Sequence, residues 1–564
     1  MSKRDIARVA GVRPPAVNNW ERRHADFPRP IDQQGRYSKD EIASWLAKRK
    51  IQMNALLPGE TAGATYGERF ARNLGVTQPN DRRSEAPEPT SQRRTDEDWT
   101  PPSTLWDELE KRRGITDPQV YEALTLALLH LRRYEGRRWS ATLDRMARQA
   151  PSSDFIRALV SALAEHRGRH PVVREALHDV RLNNLRTAAQ LAEITDVLER
   201  ACAGEAEDAP PPTAAREAVL CRFLLDRFAT GDGVRGGEFG TPDHLVRLMV
   251  RLLDPQPGDR IYDPSCGTGS LLVGAAAHIE EQGGASPTMS FNGEALSERS
   301  LRLAKLNLDI HGLTTVTELR RINPLRDDLH RGQSFDVILC NPPFNMADWS
   351  SGDPTADPRW GYGPPPRQNA NFAWLQHIAG KLSRRGRAAV LMPNSAGVSA
   401  NPRERAIRAA MVDAGVVDCV VMLPGQLFRS TSVPVTLWLL RNPHPPNDAD
   451  RVQFIDARSL GTKVERGHRV LADDHIGQIV EEYRGRRPFS AAYQGREGFA
   501  ATTTRADIKA CDYALTAGRY VAVPPRFDPQ AELKVHWLCD ELIELRDRAA
   551  AADATVAYWL NEVL

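Results

Sequence analysis

Cysteine is scarce in this chain and never paired at metal or redox spacing: there are seven, an odd number, with no Cys-x-x-Cys. That pattern supplies neither a disulfide framework nor a zinc site and fits a reducing compartment. Long apolar runs are missing as well. No stretch approaches the ~18 apolar residues that a membrane span needs, and Met1-Ser2-Lys3-Arg4-Asp5 leads into no apolar segment of the signal-peptide kind. A cytoplasmic protein with no membrane partner is expected. A surplus of either charge is also absent: the net charge is +2, so any nucleic-acid surface has to be a local basic patch. What the chain has is length. Its 564 residues exceed what one core holds, which implies roughly three to four domains.

Residues 1–50 read as a winged helix-turn-helix candidate for DNA binding. Ile6, Ala7, Val9 and Ala10 make a short apolar face, Gly11 breaks it, and Pro14-Pro15 opens a second helix that turns Val17 and Trp20 inward. Asn18, Asn19, Arg22 and Arg23 then face outward, side chains suited to base edges and phosphates. Ser38 with Glu41 is a capping-box signature before Ile42, Trp45 and Leu46. The alternative is a helical module for protein contact.

Residues 76–103 are rich in Pro, Ser, Thr and charged side chains and carry almost nothing apolar, the composition of a flexible linker. Residues 104–230 show helical periodicity, as in Val120, Leu124, Leu128 and Leu131 after the start signal Thr116-Asp117-Pro118, and no visible chemistry. Arg132, Arg133, Arg137 and Arg138 are expected on a solvated face, with phosphate contact as the alternative. Residues 231–445 alternate strand-like runs with helical periods, which predicts an α/β, doubly wound Rossmann-like sheet. Strands are expected at 260–262, 289–291, 335–339, 388–392 and 416–423, with 433–440 as an antiparallel partner. Residues 446–529 read as an irregular extension. A final helix over 530–564 carries Leu538, Leu542 and Leu545 at coiled-coil-like spacing, a stripe read as ordinary packing in preference to a partner seam.

Two loops carry the chemistry. After Arg260-Ile261-Tyr262 comes Asp263-Pro264-Ser265-Cys266-Gly267-Thr268-Gly269-Ser270, whose glycines let the backbone approach a ligand at a helix N-terminus. A dinucleotide fingerprint needs a small residue where Leu272 stands, and a phosphate loop needs Gly-Lys-Ser/Thr, so NAD and ATP are disfavoured. Glu294 lies after the next strand, where a carboxylate can accept ribose hydroxyls. S-adenosyl-L-methionine, with a ribose, an adenine and no phosphate, fits. The second loop is Asn341-Pro342-Pro343-Phe344. A conjugated exocyclic amine is a poor nucleophile. The Asn341 amide oxygen and the Pro342 carbonyl can each accept one of its N–H groups and aim its lone pair, and Phe344 offers a stacking face for a flipped base.

These residues resemble the gamma-type adenine DNA methyltransferases, and specifically the modification subunit of type I restriction-modification systems, over roughly residues 215–525. Gly236-Gly237-Glu238-Phe239-Gly240-Thr241-Pro242 looks like that family's opening motif, which implies cofactor contacts from Phe239, Thr241 and Pro242. Asp263, Pro264, Cys266, Gly267, Thr268, Gly269 and Ser270 look like its first motif, Glu294 like its ribose ligand, Asn323 like its adenine contact, and Asn341 to Phe344 like its catalytic motif. Asp357-Pro358-Arg359-Trp360, Asn369-Ala370-Asn371-Phe372-Ala373-Trp374 and Asp512-Tyr513 to Gly518-Arg519-Tyr520 follow in the family's order. Gly240 departs from the aromatic residue common there, and the N-terminal helix-turn-helix is an addition.

The resemblance implies a site-specific adenine-N6 methyltransferase with no metal. Its expected partners are double-stranded DNA, a specificity subunit and a restriction subunit, in a homodimer or an M2S-like assembly. Two alternatives stand beside it: a cytosine-N4 methyltransferase, and a DNA-binding regulator or scaffold whose methyltransferase domain is silent. No nuclease or helicase motif is present.

Overall fold

The computed structural model describes scattered positions from 3 to 30, then 37–51, 64–73, most of 101–141, 153–181, 185–203, 214–228, 240–284, 289–443 apart from 430 and 432, 450–485 apart from 466 and 467, 495–521, and 538–553 apart from 540. The chain divides into two compact units, Met1–Arg93 and Arg94–Leu564.

In the first unit, helix α1 (Lys39–Ala47) starts where Ser38 Oγ accepts the Glu41 N–H, as the capping signature predicts. It packs on α2 (Tyr66–Asn73), and Gly67 permits the approach: a Cβ there would lie 2.5 Å from Ala47 Cα. Ile6, Val9, Val17, Phe27, Ile42 and Phe70 are buried in one small core, with Trp20 packed against it. Asn18, Asn19, Arg22 and Arg23, expected to face DNA, lie outside the described residues.

The second unit opens with helices α3 (Leu105–Arg113), α4 (Pro118–Tyr134), α5 (Ser153–Arg169), α6 (Pro171–Ala176), α7 (Leu185–Ala203) and α8 (Ala214–Phe228). Asp117 Oδ1 caps α4 by accepting from the backbone N–H groups of Gln119 and Val120, and Pro118 sits where no hydrogen bond is lost. The solvated face expected around Arg132 needs correction. Its guanidinium is buried, donating from Nε to Glu199 Oε1 at 2.7 Å and from Nη1 to Glu217. Two carboxylates on neighbouring helices draw this arginine inward, and periodicity on α4 alone cannot show them. Arg137 and Arg138 lie outside the described residues.

Among the described residues, eleven strands follow from residue 260: β1 (Arg260–Asp263), β2 (Ser290–Ala295), β3 (Thr317–Arg321), β4 (Phe335–Cys340), β5 (Leu382–Pro393), β6 (Val417–Met422), β7 (Val435–Arg441), β8 (Arg451–Asp456), β9 (Thr462–Glu465), β10 (His468–Val470) and β11 (Ala500–Thr504). Strands β9 and β10 form a small ribbon, and the other nine form one sheet in the order 11-8-6-7-5-4-1-2-3. The β1 to β5 pairs are parallel and β7 runs antiparallel between β5 and β6, as expected for 433–440. Helices α9 (Asp243–Leu253), α10 (Ser270–Glu281) and α11 (Glu298–Ile310) cover one face; α12 (Asn371–Gly380) and α13 (Pro402–Asp413) cover the other. Helix α14 (Asp473–Gly485) joins the first face and α15 (Arg505–Ala510) the second.

The sheet extends past 445, where the sequence reads as irregular: β8 and β11 pair antiparallel at its edge. Edge strand β3, Thr317-Glu318-Leu319-Arg320-Arg321, escapes a sequence reading because only one of its faces meets the core and the rest is polar. Helix α11 belongs to two cores: Leu301, Ala304 and Leu308 face the sheet, whereas Leu303, Leu306 and Ile310 pack into the N-terminal helical bundle. The break expected near 230 therefore crosses a shared apolar core. The C-terminal leucine stripe is also corrected. Leu538, Leu542 and Leu545 are 48%, 67% and 51% exposed, so they are not packed in this chain's own core. Among the described residues no helix is long and apolar enough to cross a membrane.

Candidate active site

In a doubly wound sheet, loops at the carboxyl ends of adjacent strands whose connections diverge leave a crevice for ligands. Strands β1 and β4 are such a pair, since the chain leaves β1 toward β2 and β3, and β4 toward β5. Both chemistry-bearing loops open at this point. The glycine loop follows β1 and Asn341 follows β4.

The glycine loop is held from three sides. Gly267 and Gly269 have φ of +53° and +79°, a region that penalises any Cβ. The Cys266 N–H donates to the Glu294 carbonyl at 2.9 Å, tying the loop to β2. Asn307 of α11 donates from Nδ2 to the Thr268 carbonyl at 2.8 Å. Helix α10 then begins at Ser270 with its N-terminus toward the loop, a favourable end for polar or anionic groups.

Two buried carboxylates flank this loop. Asp263 is fully buried; Oδ1 accepts the Ser265 N–H at 3.0 Å, and Oδ2 is buried without a hydrogen-bond partner. Desolvation pushes its carboxyl up to about 8, against the Ser265 N–H, with Glu294 adding to the rise. Glu294, at the end of β2, accepts the Tyr262 hydroxyl on Oε2 at 2.5 Å; Oε1 has no hydrogen bond, and His330 Nε2 lies 3.6 Å from it. Desolvation also lifts Glu294, to about 7, despite the Tyr262 hydroxyl. Of the two carboxylate oxygens, only Oε1 is left without a hydrogen bond.

Gly293 precedes this carboxylate in a tight position. A Cβ would lie 2.6 Å from Leu319 Cδ2, 3.1 Å from Leu272 Cδ1 and 3.3 Å from Cys266 Cβ. Overpacking of this kind costs about 1–3 kcal/mol. Gly293→Ala is expected to lower the urea midpoint and shift the Glu294 backbone; an unchanged midpoint would show that the three neighbours yield freely.

Asn341 is 9% exposed and donates from Nδ2 to Thr241 Oγ1 at 3.1 Å. That bond orients the amide and leaves Oδ1 as an acceptor that no described donor engages. Pro342 and Pro343 are buried, and the half-buried Phe344 packs against the sheet core, keeping part of its ring accessible. The turn beyond is clamped. Asn345, at φ +54°, donates its N–H to Asn371 Oδ1 at 3.0 Å and accepts from Asn371 Nδ2 at 2.9 Å and Asn369 Nδ2 at 3.3 Å. The Asn369-Ala370-Asn371 segment at the start of α12 thus fixes the strand-to-turn exit of the Asn-Pro-Pro-Phe motif.

The other expected contacts distribute unevenly. Thr241 Oγ1 accepts from Asn341 Nδ2 at 3.1 Å, which joins the opening motif to the Asn-Pro-Pro-Phe turn. Asn323 Oδ1 accepts the Leu325 N–H at 3.1 Å, so this side chain shapes its own turn. Arg359 donates to the Pro324 and Leu325 carbonyls at 2.8 and 2.7 Å while paired with Asp357, which anchors the Asp-Pro-Arg-Trp segment to that turn. Phe239 lies outside the described residues. A cavity of about 320 Å³ between α8, α9 and α10 reaches Thr241, Thr268 and Ser270, while Asp263, Glu294 and Asn341 do not line it. Tyr262, Asn307 and His330 are the residues that sequence reading missed. Only their neighbours across the sheet give them roles, and no spacing in the chain signals it.

The N-6 DNA methylase family model matches residues 220–528, just over half of the chain and both loops of this site. The chain is 36% identical over 307 residues to the type I restriction enzyme HindI methylase subunit of Haemophilus influenzae, covering 54% of this chain and 68% of that one. It is 33% identical over 336 residues to the MjaIX methylase subunit of Methanocaldococcus jannaschii, covering 58% and 60%. A type I restriction-modification methyltransferase subunit from Streptococcus thermophilus shares the fold, with a TM-score of 0.60 at 23% identity over 74% of this chain and 98% of that one. The chain belongs to the N-6 DNA methylase family, among the methylase subunits of type I restriction enzymes. These relationships support an adenine-N6 DNA methyltransferase modification subunit.

Proposed function

We propose that this chain transfers a methyl group from S-adenosyl-L-methionine to the exocyclic N6 of an adenine flipped out of double-stranded DNA. The observation that carries this reading is the Asn341 amide, whose Nδ2 is taken by Thr241 and whose Oδ1 is left to accept an N–H beside the glycine loop. The cofactor fits the residues present. Asp263 Oδ2 and Glu294 Oε1 are buried oxygens without hydrogen bonds, suited to the ammonium and hydroxyl groups of such a ligand. Asp263, Gly267 to Ser270 and Glu294 would hold it, with Pro264, Cys266, Pro242, Phe239 and Asn323 as further contacts. When bound, it supplies a methyl group on a sulfonium, which is already a good leaving group.

The chain's own task is positioning. Asn341 Oδ1 and the Pro342 carbonyl accept the two N–H groups of the amine and aim its lone pair, while Phe344 stacks on the ring. Once methylated, the amine would be acidic enough to lose its proton to water, so the chain needs no strong base beside Asn341. Thr241→Val removes the partner of Asn341 Nδ2. It is expected to lower the methyl-transfer rate about tenfold with cofactor affinity nearly unchanged, and Thr241→Ser should restore the rate. A loss confined to cofactor affinity would return Thr241 to a binding role. Digesting the labelled DNA to nucleosides distinguishes N6-methyladenine from N4-methylcytosine, and a calorimetric titration showing no cofactor binding would favour a scaffold with a silent domain.

Residues 1–50 are proposed to bind DNA through Asn18, Asn19, Arg22 and Arg23. A specificity subunit, a restriction subunit and a homodimer or M2S-like assembly are proposed as partners. One related solved structure is described as concerning complex assembly of the type I system, and the exposed leucines of residues 538–545 offer an apolar stripe for such contact. A cytoplasmic location accords with this role.

A further inference from the structure

The helical bundle ahead of the sheet holds a cluster that the methyl-transfer site does not use. His130 on α4, His166 on α5 and His170 just beyond α5 converge, each presenting a ring nitrogen within 4.8 Å of the other two. His130 and His166 are fully buried, and His170 is 27% exposed at its side chain. His130 Nδ1 and His166 Nε2 face each other at 2.8 Å. The far nitrogens have carboxylates: His130 Nε2 is 2.5 Å from Asp309 Oδ2, and His166 Nδ1 is 3.6 Å from Glu135 Oε1.

With neutral rings, proton placement leaves this cluster unsatisfied, and it needs one further cation: a second proton on His130 beside Asp309, or a metal ion that can also engage His170. With a hydrogen on His130 Nε2, bound to Asp309, His130 Nδ1 is a lone pair. If His166 carries its hydrogen on Nε2, the two rings share it, but His166 Nδ1 stays buried without a hydrogen-bond partner. If the hydrogen sits on Nδ1 toward Glu135, two lone pairs meet at 2.8 Å. A metal ion resolves the second arrangement, because both inner nitrogens become ligands and both outer N–H groups point at carboxylates. That is the pattern by which carboxylates orient metal-bound imidazoles. Tetrahedral zinc with nitrogens near 2.1 Å needs ligands ~3.4 Å apart, a value between the 2.8 Å of the closest pair and the 4.8 Å limit of the set.

We infer that His130, His166 and His170 bind one divalent transition-metal ion of the zinc class, completed by a water. Imidazole-only donors favour zinc, cobalt, nickel or copper over magnesium or calcium. The ion ties α4 and α5 to α11 through Asp309. Two residues earlier on α11, Asn307 holds the Thr268 carbonyl of the glycine loop. The site is thus a structural staple between the helical bundle and the helix that braces that loop.

Cobalt(II) and zinc(II) are the probes, added to full-length protein stripped with EDTA and dialysed. The expected result is one cobalt ion per chain at micromolar concentration, visible absorption bands of a four-coordinate site, displacement by zinc, and a rise in thermal midpoint of several degrees. His170→Gln, at the most exposed ligand, should weaken uptake at least about tenfold with an unchanged circular dichroism spectrum. Uptake equal in this variant and the parent would mean adventitious surface binding and overturn the inference. So would the absence of cobalt bands and of stabilisation in the parent chain, which needs no variant to fold.

Discussion

Asn341→Ala is expected to lower the rate of methyl incorporation into DNA by about 10²–10³-fold, the range seen when a preorganised polar group facing the reacting atoms is removed. Cofactor affinity should stay within about threefold, because the parent side chain is bonded to Thr241 and its Oδ1 is the proposed acceptor of the amine and makes no cofactor contact in that reading. Single-turnover transfer of labelled methyl and a cofactor titration on the same preparation separate the two effects. Unchanged transfer would remove Asn341 from the mechanism, and an equal loss of cofactor affinity would recast it as a binding residue. Asn341→Asp makes a sharper comparison. It keeps an acceptor but loses the N–H donated to Thr241, so a partial rate is expected.

Asp263→Asn is expected to change both stability and cofactor binding, in opposite directions at pH 8. The folded-state carboxyl of Asp263 lies near 8 and that of Glu294 near 7, against ordinary values of 3.8 and 4.5. Both are raised, so between about pH 4 and pH 8 the folded chain retains protons that the unfolded chain has released. Stability from these groups is therefore fully present below the unfolded values and is lost as pH rises through the folded ones. The slope is at most about 1.4 kcal/mol per pH unit for each group. Asparagine keeps an oxygen for the Ser265 N–H and carries no charge to desolvate. The variant should show a flatter decline of thermal midpoint from pH 5 to pH 8 and a higher midpoint at pH 8. Its cofactor affinity at pH 8 should fall about 10- to 100-fold, since a carboxylate facing a cationic group is among the stronger polar contacts. Parallel pH profiles for variant and parent would show that Asp263 is not the group that titrates.

Local signals account for the parts of this site that sequence reading located. A glycine pair between a strand and a helix, and Asn-Pro-Pro-Phe after an apolar run, are short-range patterns; backbone strain, helix dipole and side-chain chemistry act there within a few residues. The central strands were legible for the same reason: β4, β6 and β7 are buried on both faces and read as apolar runs. Edge strands β3 and β11 were not, because most of their side chains are polar and at most partly buried, so neither reads as an apolar run.

The sequence by itself determined that this chain builds a doubly wound sheet and pointed to two loops after β1 and β4, with Asn341 as the proposed acceptor of the amine. Tertiary structure alone decided how those residues are held: Thr241 on the Asn341 amide, Tyr262 on Glu294, Asn307 behind the glycine loop, and Asn369 and Asn371 around Asn345. It also turned Arg132 inward and brought together His130 of α4, His166 of α5 and His170 just beyond α5. The physical reason is range. Periodicity and turn chemistry act between near neighbours, whereas a buried polar group must find its partner wherever packing brings one, and here that partner lies 32 to 100 residues away for Glu294 and Asn341.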